Sequence, residues 1–78
     1  MKFDHYAEAR RLSKSLINEG MSQWAHQIME AMAIGATGTE IFMHLRSVLR
    51  QMISTENLSP ESYAVARRMI EEINNSLS

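Results

Sequence analysis

Thr37-Gly38-Thr39-Glu40-Ile41-Phe42-Met43-His44-Leu45-Arg46-Ser47-Val48-Leu49-Arg50-Gln51-Met52-Ile53 decides the fold. Ile41, Phe42, Leu45, Val48, Leu49, Met52 and Ile53 recur at the spacing of one helix face, and no period-two alternation competes with them. With Thr37 as N-cap, Glu40 is the third helical residue. Its carboxylate can accept from the Thr37 amide while the Thr37 hydroxyl accepts from the Glu40 amide, a capping box. Such a cap stabilises a helix by about 0.5–2 kcal/mol.

Punctuation of the same kind extends outward on both sides. Asp4 caps a first helix of about 4–19, which Gly20 stops in the left-handed conformation. Tyr6, Ala9, Leu12, Leu16 and Ile17 form its expected inner side, with Glu8, Arg11, Ser15 and Asn18 opposite. Ser22 caps a second helix, 22–34, ended by Gly35. Its arc of Trp24, Ala25, Ile28, Ala31 and Met32 is broadened by Met29 and Ala33, the pattern of a central helix. The third helix covers 38–53, and Ser54-Thr55-Glu56-Asn57 reads as a loop. Ser59 as cap, Pro60 at the first helical position and Glu61 at the positive end then open a fourth helix, 60–75. Leu58 and Tyr63 stand at the two positions of a hydrophobic staple, and Tyr63, Ala66, Ile70, Ile73 and Leu77 make the inner face. Short connections favour antiparallel neighbours. The expected fold is all-α, a compact antiparallel bundle of four helices in one domain, 1–78.

Composition narrows the function. At 78 residues the chain hides only about 60–65% of its unfolded surface. It has no cysteine, hence no disulfide and no thiol chemistry, which fits a reducing, cytoplasmic setting. A net charge of −1 lacks the basic excess of a duplex-binding domain. Met1-Lys2-Phe3-Asp4-His5 has no apolar signal core, and the longest apolar run, Ala31-Met32-Ala33-Ile34, is too short to cross a bilayer. A soluble intracellular protein without a membrane partner is expected.

The reactive side chains do not converge in the sequence. His5, His26 and His44 fall on three helices and read as surface residues without a second ligand at i+4, so no metal site is expected. Asp4, the only aspartate, is used as a cap and leaves no acid for a serine-histidine triad. Arg67-Arg68 and Glu71-Glu72 are one turn apart and read as two i,i+4 charge pairs on a solvated face. Gly35 and Gly38 flank a turn without a phosphate-cradling sequence, and serve helix termination. No catalytic residue and no cofactor is expected.

Seven methionines are many for this length. Met29, Met32, Met52 and Met69 fall on or beside the apolar arcs and read as core filler. Met43 projects instead from the polar side of the third helix, among Thr39, Arg46, Ser47 and Arg50. Methionine and arginine are both enriched in interfaces. The candidate partner-binding set is Met43 as apolar anchor, Arg46 and Arg50 as charged contacts, and His44 and Ser47 as polar supplements.

Trp24-Ala25, Ala36-Thr37-Gly38-Thr39-Glu40-Ile41, Leu45-Arg46 and Leu49-Arg50 carry a resemblance over residues 22–53. This stretch resembles small all-helical bacterial proteins similar to the cytoplasmic immunity proteins of polymorphic toxin and contact-dependent growth inhibition systems. The resemblance implies a protein that neutralises a cognate protein toxin by direct, non-catalytic binding in a heterodimer. It carries over no functional residue. Two other readings stand beside it. One is a helix-turn-helix regulator or antitoxin using Gly35 through Arg50, in which Glu40, Ile41 and Phe42 would occupy the base-reading turn. The other is a self-associating helical module, a homodimer joined along the wide apolar arc of the second helix.

Overall fold

The stretches of helical period become α1 (His5–Asn18), α2 (Ser22–Ile34), α3 (Gly38–Thr55) and α4 (Pro60–Leu77) in the computed structural model, which describes residues 2–78. α1 packs on α2, α2 on α3, α3 on α4 and α4 back on α1. Three- and four-residue connectors span at most about 14 Å. The helices are about 20–27 Å long, so packed neighbours must reverse direction. Leu12, Leu16, Ile28, Leu45, Leu49, Met52, Met69 and Ile73 are fully buried inside this ring. The bundle is all-α, as its periodicity requires.

Local hydrogen bonding explains most of the boundaries. Asp4 accepts from the Ala7 amide at 3.0 Å and starts α1. α1 ends in a Schellman turn: Gly20 has φ +80°, Met21 N–H donates to Leu16 O at 2.8 Å and Gly20 N–H to Ile17 O at 3.1 Å. Met21 is then also the N-cap of α2, its carbonyl accepting from the amides of Trp24 and Ala25. Ser22, expected as the cap, is therefore the first helical residue, and no side chain caps α2.

Gly35 needs a different explanation from the expected one. Its φ of −75° and ψ of 136° are extended, not left-handed. Close approach requires it: a Cβ there would lie 2.5 Å from Ile41 Cγ1 and 2.9 Å from the Ile41 amide nitrogen. Across the turn, Thr37 Oγ1 accepts from the Glu40 amide at 3.2 Å. No return bond from the Thr37 amide to the Glu40 carboxylate forms among the described residues, so half of the capping box is present. α3 continues through Ser54 and Thr55, the expected loop, because both hydroxyls donate to Gln51 O, at 3.0 and 2.7 Å.

Three inner faces differ from their expected composition. On α1, Ser13 is buried and Ile17 is 56% exposed. On α2, Met29, Ala33 and Ile34 lie outside, because a ring gives each helix two neighbours and makes none central. On α4, Ser62 is buried and Tyr63 is exposed, while Met69 fills the core as expected and Leu58 packs against it.

The rotation of α4 follows from Glu19, just beyond α1. Its carboxylate accepts from the Ser59 amide at 3.3 Å, the Ser59 hydroxyl at 3.1 Å and the Ser62 hydroxyl at 2.5 Å. Ser59 Oγ in turn accepts from the Ser62 amide at 3.2 Å and caps α4. The Ser62 hydroxyl is the largest influence holding the Glu19 carboxyl below its ordinary range; slight desolvation opposes it, and the Ser59 groups reinforce it. A depressed folded-state pKa contributes stability that is complete above the unfolded value, about 4.3, and is lost as pH falls through the folded value.

Glu19→Gln should therefore lower the melting temperature at neutral pH, with the gap from wild type closing as pH drops below about 4. A gap that stays constant down this pH series would remove the carboxylate from the ring-closing role. Gly35→Ala should cost about 1–3 kcal/mol through overpacking against Ile41. Gly38→Ala, with open space at its Cβ, should instead gain about 0.4–1 kcal/mol. Urea denaturation midpoints distinguish the two glycines.

Candidate partner-binding surface

Leu45, Leu49 and Met52 point α3 into the core, and this leaves Thr39, Met43, Ser47 and Arg50 in a line along its outer side. Met43 is 52% exposed in the middle of that line. Ser47 is exposed, and its hydroxyl accepts from Gln51 Nε2 in a long bond of 3.4 Å. Met43, Ser47 and Arg50 thus form one accessible strip. His44 and Arg46 stand on opposite flanks of it.

His44 turns toward α2. There it lines a shallow groove of about 160 Å³ with Gln27, Glu30, Ala31, Ile34 and Val48. Ile34, which the sequence reading did not include, is 59% exposed beside it. Arg46 turns toward α4, is half-buried, and donates from Nη1 to Asn74 Oδ1 at 2.8 Å. Its guanidinium ties α3 to α4 as well as facing solvent, so it is less free to meet a partner than Arg50.

Arg50 lines a groove of about 260 Å³ between α3 and α4, with Ile53, Arg67, Ile70, Glu71 and Asn74. Of the two charge pairs expected on α4, Arg68–Glu72 forms at 3.8 Å. Arg67 and Glu71 do not close a second one among the described residues. Arg50 and Arg67 therefore share the groove with a single carboxylate, and the local balance is positive.

Of the three histidines read as surface residues, His26 and His44 are exposed and His5 is partly covered. His5 lies between Phe3, with ring centroids 5.0 Å apart, and Phe42, at 4.4 Å. Its Nε2 is covered and has no hydrogen-bond partner among the described residues. Tyr6 adds to Phe42 at 6.2 Å, and the Arg68 guanidinium stands 5.3 Å over the Phe3 ring. This aromatic cluster pins the start of the chain to α3 and α4. His26 does have a potential ligand at i+4: its Nε2 is 3.2 Å from Glu30 Oε2, both side chains being exposed. No group of three or more His, Cys, Asp or Glu able to hold a metal occurs among the described residues.

Trp24 is buried, and its indole N–H donates to Glu56 Oε2 at 2.8 Å. Together with the Thr37 cap, this means that the most distinctive residues of 22–53 hold the bundle together. No protein-family model matches the chain, and no curated protein or solved structure matches it. Among the described residues, no helix is long and apolar enough to cross a membrane.

The different surroundings of the two arginines on α3 are measurable. Arg46→Ala removes an interhelical hydrogen bond and should cost about 0.5–1.5 kcal/mol. Arg50→Ala should stay within about 0.5 kcal/mol of wild type. Equal melting temperatures for the two variants would contradict the structural role of Arg46.

Proposed function

We propose that this protein is a non-catalytic binding module that neutralises a cognate bacterial toxin in the cytoplasm by docking on it. The exposure of Met43 at the centre of the outer α3 strip, beside the uncommitted Arg50, is the observation that carries the reading. A flexible apolar side chain flanked by a cation is suited to fill a partner's pocket while the charge sets orientation. The resemblance of residues 22–53 to immunity-type proteins supplies the kind of partner.

Size constrains how the docking works. A standard interface covers about 800 Å² on each partner, and the whole accessible surface here is 4982 Å². One strip of α3 is too narrow to supply that share. The contact would therefore extend to Ile34 and His44 on the α2 side and to Arg67 on the α4 side. A matching partner offers an apolar pocket bordered by carboxylates that face Arg50 and Arg67. No bond is made or broken by the inhibitor; it occludes a site or holds an essential element still.

Co-expression with the product of the neighbouring gene, as the toxin candidate, tests the reading through growth protection. Met43→Asp combined with Arg50→Glu should raise Kd at least about 30-fold, a loss of 2 kcal/mol or more, and abolish protection. Circular dichroism and melting temperature should stay near wild type. Full protection by the variant would reject this surface, and failure of the wild type to protect would reject toxin neutralisation.

A further inference from the structure

The seam between α1 and α2 holds a second set of side chains that the bundle does not use. Ile17 and Met29 line one groove of about 210 Å³, with Arg10, Ser13 and Lys14. That volume is below the roughly 300–1,000 Å³ of small-molecule sites and suits an inserted side chain instead. Ile17 and Met29 both leave large apolar area in water, at 56% and 43% exposure. Folding gains nothing from that area.

Two cationic side chains also line the groove. Arg10 and Lys14 are one turn apart on α1, and neither forms an ion pair among the described residues, whereas adjacent Arg11 pairs with Glu8 at 2.8 Å. Like charges at this spacing destabilise a helix unless an outside charge compensates them. No carboxylate lines the groove.

We propose that the α1–α2 groove is a docking site for an acidic amphipathic helix of a partner protein. One apolar side chain of that helix enters between Ile17 and Met29. Carboxylates one turn apart meet Arg10 and Lys14. This is helix-in-groove recognition with a charge-selective rim. A second copy of the chain is a poorer occupant. Two-fold pairing of this face with itself would set each Arg10 and Lys14 against the same cations of its mate. The groove is lined from α1 and α2 alone, so it is separate from the Met43 strip on α3 and stands independently of the toxin reading.

The probe is a fluorescein-labelled peptide of about 15 residues, long enough for helix formation. It carries leucine with two glutamates one turn apart on one face, and a sibling has lysines in place of the glutamates. Fluorescence anisotropy with the full chain should give saturable binding of the acidic peptide that weakens as salt rises. Ile17→Asp, at an exposed position, should reduce affinity at least about tenfold with helicity retained. Arg10→Glu with Lys14→Glu should transfer preference to the lysine peptide. Met43→Asp should leave binding unchanged. The proposal is overturned if the acidic peptide fails to bind, if both peptides bind equally, or if affinity survives Ile17→Asp. A concentration-dependent dimer abolished by Ile17→Asp would assign the groove to a second copy and would overturn it as well.

Discussion

The Glu19 carboxylate joins the two helices that the chain itself leaves farthest apart. Three seams of the ring, α1–α2, α2–α3 and α3–α4, have a short covalent connector at one end. The α4–α1 seam has none, and closing it orders the longest loop in the molecule. Glu19 meets that need with three hydrogen bonds to Ser59 and Ser62 across 40–43 residues of sequence. These bonds also set how α4 is rotated. With Ser62 inward and Tyr63 outward, Asn74 comes within reach of Arg46, and Arg67 enters the groove that holds Arg50. The positive balance beside the Met43 strip is thus a consequence of how the ring is closed.

Closure as a ring also explains why so much apolar surface remains outside. A helix with two neighbours buries one stripe, yet α2 carries an arc wider than that. Its surplus, Met29, Ala33 and Ile34, lies beyond the core, and Ile17 joins Met29 because Ser13 took the inner position on α1. Isolated exposed apolar residues are common on any protein. Paired across a groove or flanked by uncommitted cations, they are more informative, since a small domain gains no stability from keeping them in water.

Local signals made much of this structure legible in the sequence. Asp4, Thr37 and Ser59 act as caps, Gly20 takes the left-handed stop, and the buried side of α3 follows from spacing alone. Each of these depends on residues within one or two turns. What spacing did not reveal depends on distant partners: Ser62 inward because of Glu19, Trp24 held by Glu56, Gly35 small because of Ile41. The same division runs through the candidate site. A helical wheel suffices to place Met43, Ser47 and Arg50 on one strip, whereas the engagement of Arg46 by Asn74 requires knowing the rotation of α4. The His26–Glu30 pair is a different case, since its i,i+4 spacing is plain in the sequence and needs no tertiary knowledge.

The near-neutral total charge conceals how the charges are distributed. Net charge sums over the whole surface, but salt at physiological strength screens exposed charges beyond about 8 Å, so a partner senses a patch rather than the sum. Arg50 with Arg67, and Arg10 with Lys14, each form a local cationic rim beside apolar side chains, while Glu8 and Glu72 are paired with Arg11 and Arg68. A chain of net charge −1 can therefore favour acidic partners on two faces. Those faces are carried by different helices, α1 with α2 and α3 with α4, and α2 is fixed to the end of α3 by Trp24 and Glu56. Occupants of the two surfaces would meet a scaffold that holds them apart at a set distance, so their binding energies should add rather than compete.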